Sequence, residues 1–252
     1  MNTEALLPTT TLAAIVRDEE RNPAGGIEEW IYSTVPYVAE AIVLDTGSAD
    51  NTYSILQEAR KTFGHLQVGQ IQWQDWANAR NCALRKVTTE YVLVLDADEL
   101  LTEEDYSNIA QYMGENQQQQ YEFVIRTLYL DYHAHVNKIN VLNPRLFLPD
   151  GAKFIVDGDW SEMIEFPSGI VECSIPESIA TIKHFKGSSR QDESKRKDWY
   201  REGKWKNEQP IENARRNGWK SFNPARMLYP HTGRLKIGES ERTHQAYIDA
   251  TL

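Results

Sequence analysis

Along the first hundred residues the apolar positions switch between two periods. Residues 11–16 and 41–44 are apolar, β-prone runs of the kind that forms strands buried on both faces. Residues 66–73 alternate more weakly, and residues 91–95 (Tyr-Val-Leu-Val-Leu) form the purest run of all. Between these runs the spacing becomes helical. Residues 25–35 put Ile27, Trp30, Ile31 and Thr34 on one face, residues 50–63 do the same with Ile55, Leu56, Ala59 and Phe63, and residues 76–87 align Trp76, Ala79, Ala83 and Val87. The alternation predicts an α/β fold: a Rossmann-like, mostly parallel sheet flanked by helices on both faces. Thr102-Glu103-Glu104-Asp105 reads as the capping box of a further helix.

Past residue 114 the pattern changes. Residues 116–120 (Asn-Gln-Gln-Gln-Gln) read as an exposed connection. Residues 121–130, 143–148, 153–166 and 169–184 read as strands separated by Gly and Pro, and are expected to form an antiparallel extension of the sheet. Residues 190–252 are polar, charged and aromatic, with Trp199, Trp205 and Trp219, and read as a helical or irregular tail.

Composition narrows the class. A chain of 252 residues is long enough for one large domain. A net charge of −10 argues against a nucleic-acid partner, which would want a basic stripe. Basic residues do gather late, at Arg190, Lys195, Arg196, Lys197 and Arg201, then at Arg215, Arg216 and Lys220, so the tail is suited to an anionic partner. No segment approaches the roughly 20 apolar residues that span a bilayer. The first eleven residues carry Glu4 and no Lys or Arg, which predicts a cytoplasmic protein. Cys82 and Cys173 are far apart and expected to be buried free thiols, without zinc-type spacing.

The candidate chemistry lies at the ends of the predicted strands, where open α/β sheets bind ligands. The 91–95 run stops at Asp96-Ala97-Asp98-Glu99, three carboxylates in four residues. Such a cluster needs a cation or basic groups to neutralise it, and Mg²⁺ characteristically pairs one or two carboxylates with substrate phosphates. The capping box downstream means that the next helix does not need these acids as caps. The second strand ends at Asp45-Thr46-Gly47-Ser48-Ala49-Asp50, where Gly47 permits a turn with positive φ and Ser48 or Asp50 can cap the following helix.

Together these pieces carry a resemblance. Arg17-Asp18-Glu19-Glu20 follows strand one, Asp45-Thr46-Gly47-Ser48-x-Asp50-x-Thr52 follows strand two, Trp76-Ala77-Asn78-Ala79-Arg80-Asn81 opens the third helix, and Val94-Leu95-Asp96-Ala97-Asp98-Glu99 follows strand four. Over residues 11–101 this order and spacing resembles the family 2 glycosyltransferases of the GT-A fold, most of all small bacterial members such as those that build lipopolysaccharide core. The resemblance implies a nucleotide-binding half at 1–101, an acceptor half at 102–189 and the tail at 190–252. It implies a metal-dependent, inverting transfer of a sugar from a nucleotide-sugar, in the first place a UDP-sugar, to an acceptor hydroxyl. It places Arg17, Glu19, Asp45, Gly47, Ser48, Arg80, Asn81, Asp96 and Ala97 at the nucleotide-sugar, and Asp98 with His184 at a divalent cation, Mn²⁺ or Mg²⁺. Glu162, or Asp159 and Asp157 in the same loop, would be the general base. The acceptor would be a saccharide, a lipid-linked glycan or a protein, with peripheral membrane contact if it is membrane-bound.

Two positions depart from the family pattern. Asp18 stands before Glu19 where the family usually has Asn, and in Gly158-Asp159-Trp160-Ser161-Glu162 the residue Ser161 stands where the family often has His. Two other readings remain at this point: a non-catalytic, nucleotide- or glycan-binding relative of the family, and a haloacid-dehalogenase-like phosphatase using Asp96.

Overall fold

The structure is a computed structural model and describes residues 5–22, 24–129, 135–137, 142–157 and 161–186. Asp159 and the 190–252 tail, with its Trp and basic residues, lie outside the described residues. The parallel half contains strands β1 (Leu7–Val16), β2 (Val38–Asp45), β3 (Leu66–Gln70) and β4 (Tyr91–Val94), interleaved with helices α1 (Ile27–Thr34), α2 (Thr52–Thr62) and α3 (Trp76–Leu84). A two-residue strand, β5 (Glu99–Leu100), and helix α4 (Glu103–Glu115) follow. The second half consists of β6 (Gln120–Tyr129), β7 (His135–Asn137), β8 (Leu142–Phe147), β9 (Lys153–Asp157), β10 (Ser161–Glu165), β11 (Glu172–Ser174) and β12 (Ile182–Lys186).

The main sheet runs in the order β3-β2-β1-β4-β8-β6-β12-β5. β3, β2, β1 and β4 are mutually parallel. The apolar runs of β2, β1 and β4 are buried on both faces, as helices on both sides require, whereas edge strand β3 buries only Leu66. The register pairs Val16 with Asp45 and Ala13 with Val94, so the ends of β2 and β4 open on one rim beside β1. β8 then runs antiparallel to both β4 and β6.

The extension differs from the expected one. β11 and β12 run parallel to β6, and β9 with β10 forms a separate two-stranded sheet. Gln120 is buried, because β6 begins there, between Phe147 of β8 and Glu172 of β11. Neither cysteine is fully buried; both are free and half-exposed. Helix α1 buries the four residues its period named. Helix α3 is rotated from its expected stripe: it buries Ala77, Ala79, Arg80, Ala83 and Leu84 and leaves Trp76 exposed, since Arg80 turns inward. The α4 capping box forms as read, with Thr102 Oγ1 accepting from Asp105 N and Asp105 Oδ2 accepting from Thr102 N. Asp105 also pairs with the buried Lys183 of β12. Among the described residues no helix is long and apolar enough to cross a membrane.

The turn into α1 depends on Gly26. Its φ is 89°, and a Cβ there would lie 2.5 Å from the Glu20 carbonyl oxygen. Gly26→Ala is expected to cost about 1–3 kcal/mol from backbone strain, seen as a lower urea midpoint. An unchanged midpoint would show that the loop relaxes freely.

Candidate active site

Three loops meet at the rim, and hydrogen bonds lace them together. After β1 the chain turns through Asp18, whose φ of 55° lies in the left-handed region. Asn and Asp are the non-glycine residues that tolerate this conformation best, so Asp18 suits the turn. Asp18 N donates to Ser48 Oγ at 2.9 Å and Asp18 Oδ1 accepts from Ala49 N at 2.7 Å. Glu19 N donates to Thr52 Oγ1 at 2.7 Å, and Glu20 accepts from both the backbone and the side chain of Asn51. Asn22 Nδ2 reaches across to the Ala97 carbonyl at 2.8 Å. The first loop is thus tied to both the loop after β2 and the loop after β4. Arg17 remains exposed beside Asp18, 3.8 Å away.

Asp45 ends β2 and is fully buried. Its Oδ1 accepts from Gly47 N at 3.0 Å and Ser48 N at 3.1 Å, with Gly47 at φ 106° making the turn. Among the described residues its Oδ2 has no hydrogen-bond partner. A buried acceptor left without a donor is costly, so this oxygen is suited to an incoming N–H. The N-cap of α2 is Asn51, without a side-chain cap bond, rather than Ser48 or Asp50; Asp50 Oδ1 accepts from Thr52 N just before the helix, and Ser48 Oγ is turned to Asp18.

Beyond β4 the three acids separate into three environments. Asp96 pairs with Arg80 of α3, and Arg145 Nη2 of β8 lies 3.8 Å from its other oxygen. Burial alone would raise its carboxyl; the Arg80 guanidinium, then that of Arg145, outweighs burial and holds it well below the usual carboxylate range. Glu99 turns into the core, 1% exposed, accepting from Arg145 Nη2 at 2.6 Å and from Asp96 N at 3.0 Å. Burial pushes its pKa upward despite Arg145. Glu99 therefore supports the loop from beneath and is not part of a surface cluster of three acids. Trp30 Nε1 adds a hydrogen bond to the Glu99 carbonyl.

Asp98 faces the other way. Its Oδ2 lies 3.1 Å from His184 Nε2, and its carbonyl accepts from Phe185 N at 2.7 Å. The antiparallel pairing of β12 with β5, His184 opposite Glu99, makes this meeting possible across 86 residues of chain. One carboxylate and one imidazole side by side form a partial donor set for a hard or borderline divalent cation. Among the described residues no three His, Cys, Asp or Glu side chains group to hold a metal by themselves. A cation here would need oxygens from a ligand or water.

Asn81 has a different neighbour from Arg80. Its amide is engaged with the backbone of Phe154 on β9. Glu162 lies on β10 opposite Val156 in the register. Arg145 and Asn22 were not among the residues singled out from the sequence. An Arg inside the apolar run Leu142–Phe147 was the available signal for the first, and nothing local marked the second.

Residues 27–140 match the model of Glycosyl transferase family 2. The chain is 38% identical over 106 residues to a TPR repeat-containing protein of Synechococcus elongatus, covering 42% of this chain and 24% of that protein. It is 31% identical over 104 residues to the SPbeta prophage-derived glycosyltransferase SunS of Bacillus subtilis, covering 41% of this chain and 23% of SunS. The chain spans about a quarter of the length of these curated relatives. S. aureus TarS 1-349, solved in complex with UDP-GlcNAc, aligns with 48% of this chain and 35% of its own at 20% identity and a TM-score of 0.40.

Proposed function

We propose that the chain transfers a sugar from a nucleoside-diphosphate sugar, a UDP-sugar, to an acceptor hydroxyl with inversion at the anomeric carbon. One observation carries this reading: Asp98 and His184 stand 3.1 Å apart on the rim that Asp45 and Asp96 also end on, within or beside a family 2 region. The donor set fits Mn²⁺ or Mg²⁺, with Asp98 and His184 as the protein's ligands. When bound, the cation neutralises charge on the leaving diphosphate as a Lewis acid.

The protein's residues divide the rest of the work. Asp45 Oδ2, buried and without a donor among the described residues, takes the ring N–H of uracil. Arg17, Glu19, Gly47 and Ser48 line that side. Arg80 fixes Asp96 as a carboxylate for the ribose. Glu162, or Asp159 in the same loop, takes the proton from the acceptor hydroxyl as general base while the oxygen attacks the anomeric carbon. No covalent intermediate is needed, because inversion is a single displacement.

The test is a thermal-shift panel of nucleoside diphosphates with and without Mn²⁺. A ligand that binds only the folded state raises its stability by mass action. UDP with Mn²⁺ should give the largest shift. Asp45→Asn should weaken UDP about 10–100-fold, the worth of one charged hydrogen bond. A folded protein that responds to no nucleotide would favour a scaffold role.

A further inference from the structure

The β9–β10 hairpin is detached from the main sheet. No strand ladder joins the two, and β9 pairs only with β10 among the described residues. An isolated two-stranded hairpin is marginal in water, so its position must come from side-chain docking. Part of that docking is apolar: Phe154 is buried, and its ring lies 6.4 Å from that of Phe147, which Phe166 meets at 5.3 Å. The directional part is a reciprocal clasp. Asn81 Nδ2 donates to the Phe154 carbonyl at 2.8 Å, and Phe154 N donates to Asn81 Oδ1 at 2.9 Å. Both ends of one amide thus hold both polar groups of one strand residue, which fixes depth and direction together.

The residue before Asn81 is Arg80, which holds Asp96. Consecutive helix residues point about 100° apart, so α3 faces the carboxylate rim with one and the hairpin with the next. Phe154 is two residues from Val156, about 7 Å along a strand, and Val156 is the register partner of Glu162.

We propose that Asn81 is a positioning residue for the acceptor side of the reaction: by gripping Phe154 it sets the distance between the Asp96–Asp98 rim and the strand that carries Glu162, and it does not bind the nucleotide. The inference rests on the function proposed above. It turns α3 into a spacer between donor and base, and it replaces the expectation that Asn81 lies at the nucleotide-sugar.

Donor hydrolysis tests it without a known acceptor. Water oxygen bonds to the anomeric carbon, the bond to the UDP oxygen breaks, UDP leaves with the electron pair, and the water proton passes to Glu162. The probes are UDP with Mn²⁺ for binding, by calorimetry, and the UDP-sugar that the wild-type chain hydrolyses fastest. Asn81→Ala should keep the UDP Kd within about twofold and lower hydrolysis about 10²-fold, the scale of a misplacement near 1 Å. In a Glu162→Gln background the same change should cost less than about twofold more, because both act through one base. Asn81→Asp, which keeps the acceptor for Phe154 N and loses the donor, should fall between the two and guards against an unfolded alanine variant. A UDP Kd raised tenfold or more, or losses that multiply in the Glu162→Gln background, would overturn the proposal. A wild-type chain that binds no UDP with Mn²⁺ would overturn the functional reading itself, before any variant is made.

Discussion

Arg145→Ala is expected to lower stability by about 3–5 kcal/mol, the usual result of removing one partner of a buried ion pair. Glu99 is 1% exposed and keeps its carboxylate 2.6 Å from the guanidinium that would vanish. At that burial bulk solvent offers little compensation, and Asp96 would lose its second cation at the same time. Urea unfolding monitored by tryptophan fluorescence measures the change. The double variant Arg145→Leu with Glu99→Leu should recover part of the loss, since a well-packed apolar pair replaces a buried charge pair at little cost. A loss below about 1 kcal/mol for Arg145→Ala would mean that water reaches Glu99, and that the core beneath the loop is not dry.

Asp98→Asn should have the opposite profile. Its carboxylate is partly exposed and meets His184 at 3.1 Å, a contact that an amide oxygen can keep, so the unfolding midpoint should hardly move. The Mn²⁺-dependent part of UDP binding should disappear, and donor turnover should fall about 10²–10³-fold, as expected when several kcal/mol of transition-state charge stabilisation is lost. The measurement is calorimetric titration of UDP with and without Mn²⁺, beside steady-state donor hydrolysis. Equal Mn²⁺ dependence in wild type and variant would remove Asp98 from the cation site and leave His184 without a reason to be there.

The contrast between these two residues shows what was legible in the sequence. Asp96, Asp98 and Glu99 look equivalent in a string. Their different environments come from Arg80, Arg145 and His184, which lie 16, 46 and 86 residues away from their partners. Local periodicity cannot carry that information. It does carry the parallel half: four apolar runs and three amphipathic stretches became β1 to β4 and α1 to α3 at nearly the expected bounds. The Thr102 cap was readable for the same reason, being a contact between residues three apart. The second half was legible as strands and not as pairings. Parallel β11 and β12 pair with β6, which is distant in sequence, and the β9–β10 pair stands apart from the main sheet; local periodicity encodes neither. The exposed Trp76 is a smaller case, where the inward turn of Arg80 overrode the apolar stripe.

The laced loops have a kinetic consequence. Asp18, Glu19, Glu20 and Asn22 bind the first loop to its two neighbours through backbone as well as side chains, so the ordering of the mouth is settled when the chain folds. A ligand meeting such a mouth has little left to arrange. Mixing experiments should therefore follow a single exponential whose rate climbs in proportion to nucleotide concentration, without the plateau that a slow closing step imposes.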